Sequence, residues 1–245
     1  MMSTENINSR KMTLNLVKLK MASSGYILWQ LMFLQGLGFI FSLNATSSYY
    51  GGTGLVEYRF EQYTPTLIFI FTLIWMMVVS GGMTLKREQM NLFSFPATRD
   101  TEAAANGIML LIYSALGAVT AMLLQFPHTL LSRYFLLNEG TTLVTQLSLG
   151  DYLIGFMGTW FYLILAGGIA YFIWILFQQH VFVRIGTISA MAILFFTPVN
   201  ELTGALFLWF TEETFLPIFL FKVLVVFLLS YGSGFLLLRR MEVIR

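Results

Sequence analysis

Six long apolar runs punctuate this chain, and they leave few folds open to it. A helix needs about 20 predominantly apolar residues to cross about 30 Å of hydrocarbon. The runs lie at residues 26–45, 64–85, 105–126, 152–177, 185–199 and 215–238, the fifth being short. Each is continuous rather than alternating, which is the pattern of a spanning helix and not of a barrel strand. The expectation is an all-α, polytopic membrane protein with six transmembrane helices. There is no repeat of 20–50 residues, low-complexity tract or linker, so residues 1–245 read as a single domain.

Composition agrees. The chain is 57% hydrophobic and 11% charged, with mean hydropathy +0.75, whereas a soluble domain carries about 25% charged residues. Cysteine is absent, which excludes a disulfide framework, thiolate catalysis and cysteine-ligated metal. A net charge of +2 is too small to point to nucleic acid. The first twenty residues are polar and basic, and the first apolar run is long enough to stay in the bilayer, so no cleaved secretory signal is expected.

Basic residues set the orientation. With the N-terminus inside, the inner segments hold Arg10, Lys11, Lys18, Lys20, Lys86, Arg87, Arg99, Arg184, Arg239, Arg240 and Arg245, and the outer ones hold only Arg59 and Arg133. Both termini are therefore expected to be cytoplasmic, in a multi-pass protein of the cell membrane. Tyr49, Tyr50, Tyr58 and Tyr63 fall in the first outer loop near the span ends, as interfacial tyrosines do.

The segment before the first span, 11–21, reads as interfacial. In a helix, Lys11, Asn15 and Lys18 share one face and Thr13 and Lys20 the opposite one. Its apolar residues divide into two strips, Met12, Leu16 and Leu19 against Leu14, Val17 and Met21. The third-to-fourth connection, 127–151, is long, outer and fairly apolar.

Catalytic constellations are scarce. No GxxxxGK[ST] loop occurs, so the chain does not hydrolyse ATP through that machinery. His128 and His180 fall on opposite sides of the membrane and cannot share a metal. Glu212 and Glu213 suit the start of the sixth helix, where acids complement the helix dipole. Two readings stand for Glu201, which follows Pro198 and Asn200. In one, the helix breaks, partly re-enters, and Glu201 pairs with Lys222 in a pathway or gate. In the other, Glu201 ends a helix at the outer interface and Lys222 snorkels outward.

Between the second and third runs lies FSFPATRDTEAAANG, residues 93–107. Pro96 breaks the chain, Thr98 or Asp100 can cap a helix, and Glu102 sits in its first turn. The stretch reads as a short helix outside the membrane, and a connection of this length, with Phe93 and Phe95 beside it, resembles a docking surface.

Six spans, an N-terminal interfacial segment and an inner loop reading S-F-P-A-T-R resemble the permease subunits of ABC-2 type bacterial exporters. The resemblance implies that the loop holds a cytoplasmic coupling helix docked in a groove of a separate ABC ATPase subunit. Phe95, Pro96, Thr98, Arg99, Asp100 and Glu102 would then contact that subunit, with a lesser contact from the link 178–184. The break at Pro198–Glu201 resembles the family's re-entrant outer element. The resemblance implies no enzymatic activity in the chain itself, since the partner ATPase would bind ATP and Mg, and no cofactor or metal of its own. It also implies a second permease, identical or homologous, and export by alternating access. An apolar, aromatic-rich lining suits an amphipathic or lipid-like cargo, as in small exporters of phenol-soluble modulins or bacteriocins. Rival readings are an ion-driven secondary transporter, which should show buried acids and inverted halves, and a non-transporting scaffold or immunity protein.

Overall fold

The computed structural model describes residues 9–44, 46–52, 57–63, 65–84, 99–131, 149–196, 209 and 215–240. Among them are seven helices: α1 (Ser9–Ser23), α2 (Gly25–Asn44), α3 (Thr66–Gly82), α4 (Arg99–Leu131), α5 (Leu149–Gln178), α6 (Val181–Phe196) and α7 (Leu216–Arg240). Four are long and apolar enough to cross a membrane: α2, α4, α5 and α7. That is the mark of a membrane protein. The other two apolar helices, α3 with 17 residues and α6 with 16, are shorter. At 1.5 Å per residue each is about 25 Å long.

The helical architecture is as expected, with one addition. Two strands, β1 (Thr46–Gly52) and β2 (Glu57–Tyr63), form an antiparallel hairpin between α2 and α3, with Tyr49 opposite Phe60 and Tyr50 opposite Arg59. The strands are rich in aromatic and hydroxyl residues, and glycines stand where the chain reverses, which favours a hairpin over a helix. Pro65 then precedes the first residue of α3, where its fixed φ is compatible with helix entry.

Three expectations are corrected. No separate short helix begins at Arg99: the chain from there to Leu131 is one 33-residue helix. TEAAAN holds good helix formers, and Gly107 alone is too weak a breaker to interrupt it. The same helix runs past Pro127, where a run-end was expected. A proline in the last turns forfeits one backbone hydrogen bond, a loss that helices in membranes tolerate. The link after α5 is also shorter than expected, since only Gln179 and His180 separate α5 from α6. Arg184, one turn into α6, donates from Nε to the Phe177 carbonyl at 2.8 Å and so covers the end of α5.

α5 is the centre of the bundle. It packs against α3 and α4 on one side, α7 on another, and α6 beyond its own end. The main core joins Trp75, Met76 and Val79 of α3, Met109, Leu110 and Tyr113 of α4, and Leu163 of α5. Leu16 and Val17 of α1 belong to the same cluster. Hydrogen bonds tie the helices where apolar contact alone gives little preference, because lipid competes with apolar side chains. Gln35 Nε2 donates to Thr72 Oγ1 at 3.1 Å and to the Gly117 carbonyl at 3.3 Å, which bridges α2, α3 and α4. Ser80 Oγ donates to the Gly167 carbonyl at 2.6 Å, and Trp160 Nε1 to Ser114 Oγ at 3.0 Å.

Candidate functional site

A polar junction forms where α1 meets the first turns of α4. The buried face of α1 is Thr13, Leu16, Val17 and Lys20, residues three and four apart. Lys20 is only 9% exposed, and its Nζ donates to Asn106 Oδ1 of α4. A buried ammonium is costly unless it is bonded, so this contact fixes the register of α1 along α4. Thr101 and Asn106 are themselves buried.

The junction continues into α5 and α7. Tyr171 of α5 is fully buried, faces Asn106, and stacks on Tyr231 of α7 with centroids 4.7 Å apart. Tyr231 donates its hydroxyl proton to the Ala103 carbonyl. Glu102, one turn before Asn106, is partly buried and lies near both tyrosines. Its Oε1 is buried and accepts no hydrogen bond. Four helices thus meet around the first two turns of α4. Nearby, Gln178 Nε2 donates to Thr84 Oγ1 at 2.7 Å, which joins the end of α5 to the residues after α3.

Of the sequence-predicted residues, Asp100 is exposed at the start of α4, and Arg99 is the first residue of that helix. Glu102 faces the junction. Phe95, Pro96 and Thr98 lie outside the described residues, as do Pro198, Asn200, Glu201, Glu212 and Glu213. Lys222 lies at the other end of the bundle, on the second turn of α7. Its Nζ donates to the Trp209 carbonyl at 3.0 Å and stands 4.2 Å from the Trp209 ring centroid. That geometry is a cation held over an aromatic face. His128 is buried and meets the Phe39 ring edge-on at 5.9 Å, while His180 stacks on Phe182. The two histidines are at opposite ends, and no group of three or more metal-ligating side chains occurs among the described residues.

Sequence reasoning missed Asn106, Tyr171 and Tyr231. Each is a polar side chain inside or beside an apolar run, a signal that marks burial without naming the partner. Lys20 carried a clearer sign, since it falls on the face opposite Lys11 and Lys18.

The chain matches no family model, no characterised protein and no solved structure.

Proposed function

We propose that the chain is the membrane-spanning permease subunit of an ATP-driven exporter. It would work with a separate ABC ATPase subunit and a second permease, and move an amphipathic or lipid-like cargo, such as a peptide, out of the cell. On this reading α3 and α6 also traverse the bilayer, giving six spans with both termini in the cytoplasm. Among the described residues, every Lys and Arg except Arg59 and Lys222 sits at the end of the bundle that carries α1, which supports that orientation.

The observation that carries the proposal is the build of α4. It follows directly on S-F-P-A-T, begins with Arg99 and the exposed Asp100, and continues unbroken for 33 residues. Its first turns are gripped by side chains of α1 and α7 and packed beside Tyr171 of α5. A displacement applied at Asp100 would therefore be passed to the bundle as a rigid movement. Glu102 faces inward in this arrangement, which leaves Asp100 as the described acid that can make the outward contact.

The test is purification of the tagged chain from its native membrane in mild detergent, with its companions identified. A stoichiometric ATPase that is lost when residues 96–102 are replaced by a Gly/Ser loop is the expected result. In the intact complex, Asp100→Ala should uncouple ATP hydrolysis from transport while assembly is kept. A chain that purifies alone, or transport unchanged by Asp100→Ala, would remove the coupling role.

A further inference from the structure

We infer that the outward ridge of α1 is a binding surface for anionic lipid headgroups. This goes beyond the transport reading and stands without it. Lys11 and Lys18 lie seven residues apart, two turns along one helix, and both are exposed. Asn15 stands between them, also exposed. No acidic residue occurs anywhere in α1. On the shoulders of this ridge, Leu14 is 47% exposed, Met21 48% and Leu19 38%. Two lysines between apolar shoulders fit a helix lying in the interface, its methylenes toward acyl chains and its ammonium groups among phosphates.

The position of α1 fits that occupant. A single residue, Ser24, separates it from the membrane-spanning α2. Ser23 Oγ and Ser24 Oγ donate back to the Lys20 and Met21 carbonyls, at 3.0 and 2.6 Å, so the turn is held closely at the end of α1. The opposite face is already committed to protein through Leu16, Val17 and the Lys20–Asn106 bond. The ridge therefore cannot roll inward, and it remains at the level where the bilayer begins. A phosphate-bearing lipid complements its charge, and a zwitterionic lipid does so less because its own cation opposes the lysines.

A consequence follows from that commitment to both sides. Lipid held by Lys11 and Lys18 and the start of α4 held by Lys20 share one rigid helix. Anionic lipid is thus expected to stabilise the α1–α4 junction, and through it the end of α4 that carries Arg99 and Asp100.

The full chain would be reconstituted in nanodiscs of phosphatidylcholine alone or mixed with phosphatidylglycerol. Retained lipid would be measured by native mass spectrometry and thermal stability recorded in parallel. Each lysine near an anionic surface contributes about fivefold in affinity. Lys11→Gln with Lys18→Gln should accordingly lower phosphatidylglycerol retention by more than about tenfold. The stabilisation given by phosphatidylglycerol should disappear in the same variant, while stability in phosphatidylcholine stays unchanged. Lys11→Arg with Lys18→Arg should restore both. Equal retention of the two lipids by the unaltered chain, or anionic-lipid retention insensitive to the double substitution, would overturn the inference.

Discussion

At the scale of single residues, the contact that most repays attention is Lys20 with Asn106. Both are buried, and each leaves the other without its bond when removed. Lys20→Met or Asn106→Leu should each cost about 1–3 kcal/mol. The double variant should lose clearly less than the sum, since the second substitution removes a group that has already lost this bond. Chemical unfolding of the four proteins in one detergent measures this directly, and strict additivity would show that the two side chains act independently. Part of this was readable beforehand: helical periodicity alone separates Lys20 from Lys11 and Lys18. Which of the two faces docks was not readable, because the partner lies 86 residues further along the chain. Glu102 makes the same point from the other side. Its place in a first turn suggested an outward acid, yet the tyrosines that surround it come from α5 and α7.

At the scale of elements, α5 works because it lets its neighbours come close on two faces. A Cβ on Gly81 of α3 would lie 2.3 Å from the indole of Trp174 on α5. A Cβ on Gly168 of α5 would lie 2.6 Å from the ring of Phe227 on α7. Gly81→Ala and Gly168→Ala should therefore destabilise the bundle by about 1–3 kcal/mol each through overpacking. Gly36→Ala on α2 is the contrast, because beyond its own stretch of helix backbone no atom lies within 4 Å of the added methyl. It should be neutral or stabilise by up to about 1 kcal/mol. Thermal unfolding in detergent separates the two classes, and a stabilised Gly81→Ala would refute the close approach of α3 and α5. The helices themselves were visible as apolar runs to within a few residues for most ends. The hairpin was not, because its alternation is short and its aromatics also suit an interfacial loop. Nor was the continuity of α4, where Pro127 reads as a stop in isolation but is tolerated within a helix in lipid.

At the scale of the whole molecule, the two ends of the bundle differ in charge, and that difference is the handle on orientation. The absence of cysteine makes the test clean, because any introduced thiol is the only one present. Glu61→Cys, in β2, should react with a membrane-impermeant maleimide on intact cells. Lys18→Cys, in α1, should react only after the membrane is opened. The reverse pattern would invert the proposed topology, and labelling of both on intact cells would place the hairpin and α1 on one side. The general class of the molecule was available from hydropathy, and the basic residues carried its expected direction. The polar junction was not available at this scale, since it draws on α1, α4, α5 and α7, which are scattered over more than two hundred residues.

The bridge from Gln35 to Thr72 and Gly117 also bears on how the chain is made. These three residues belong to α2, α3 and α4, and the Lys20–Asn106 bond likewise joins only α1 and α4. All of these partners are synthesised before α5. At about 5–20 residues per second, the 47 residues from the end of α4 to the end of α5 take a few seconds to appear. During that interval the first four helices can already close on one another in the bilayer. The central helix is then a late arrival, and it must slot into a seam prepared by Ser80, Gly81 and Ser114 rather than act as the post around which the others gather.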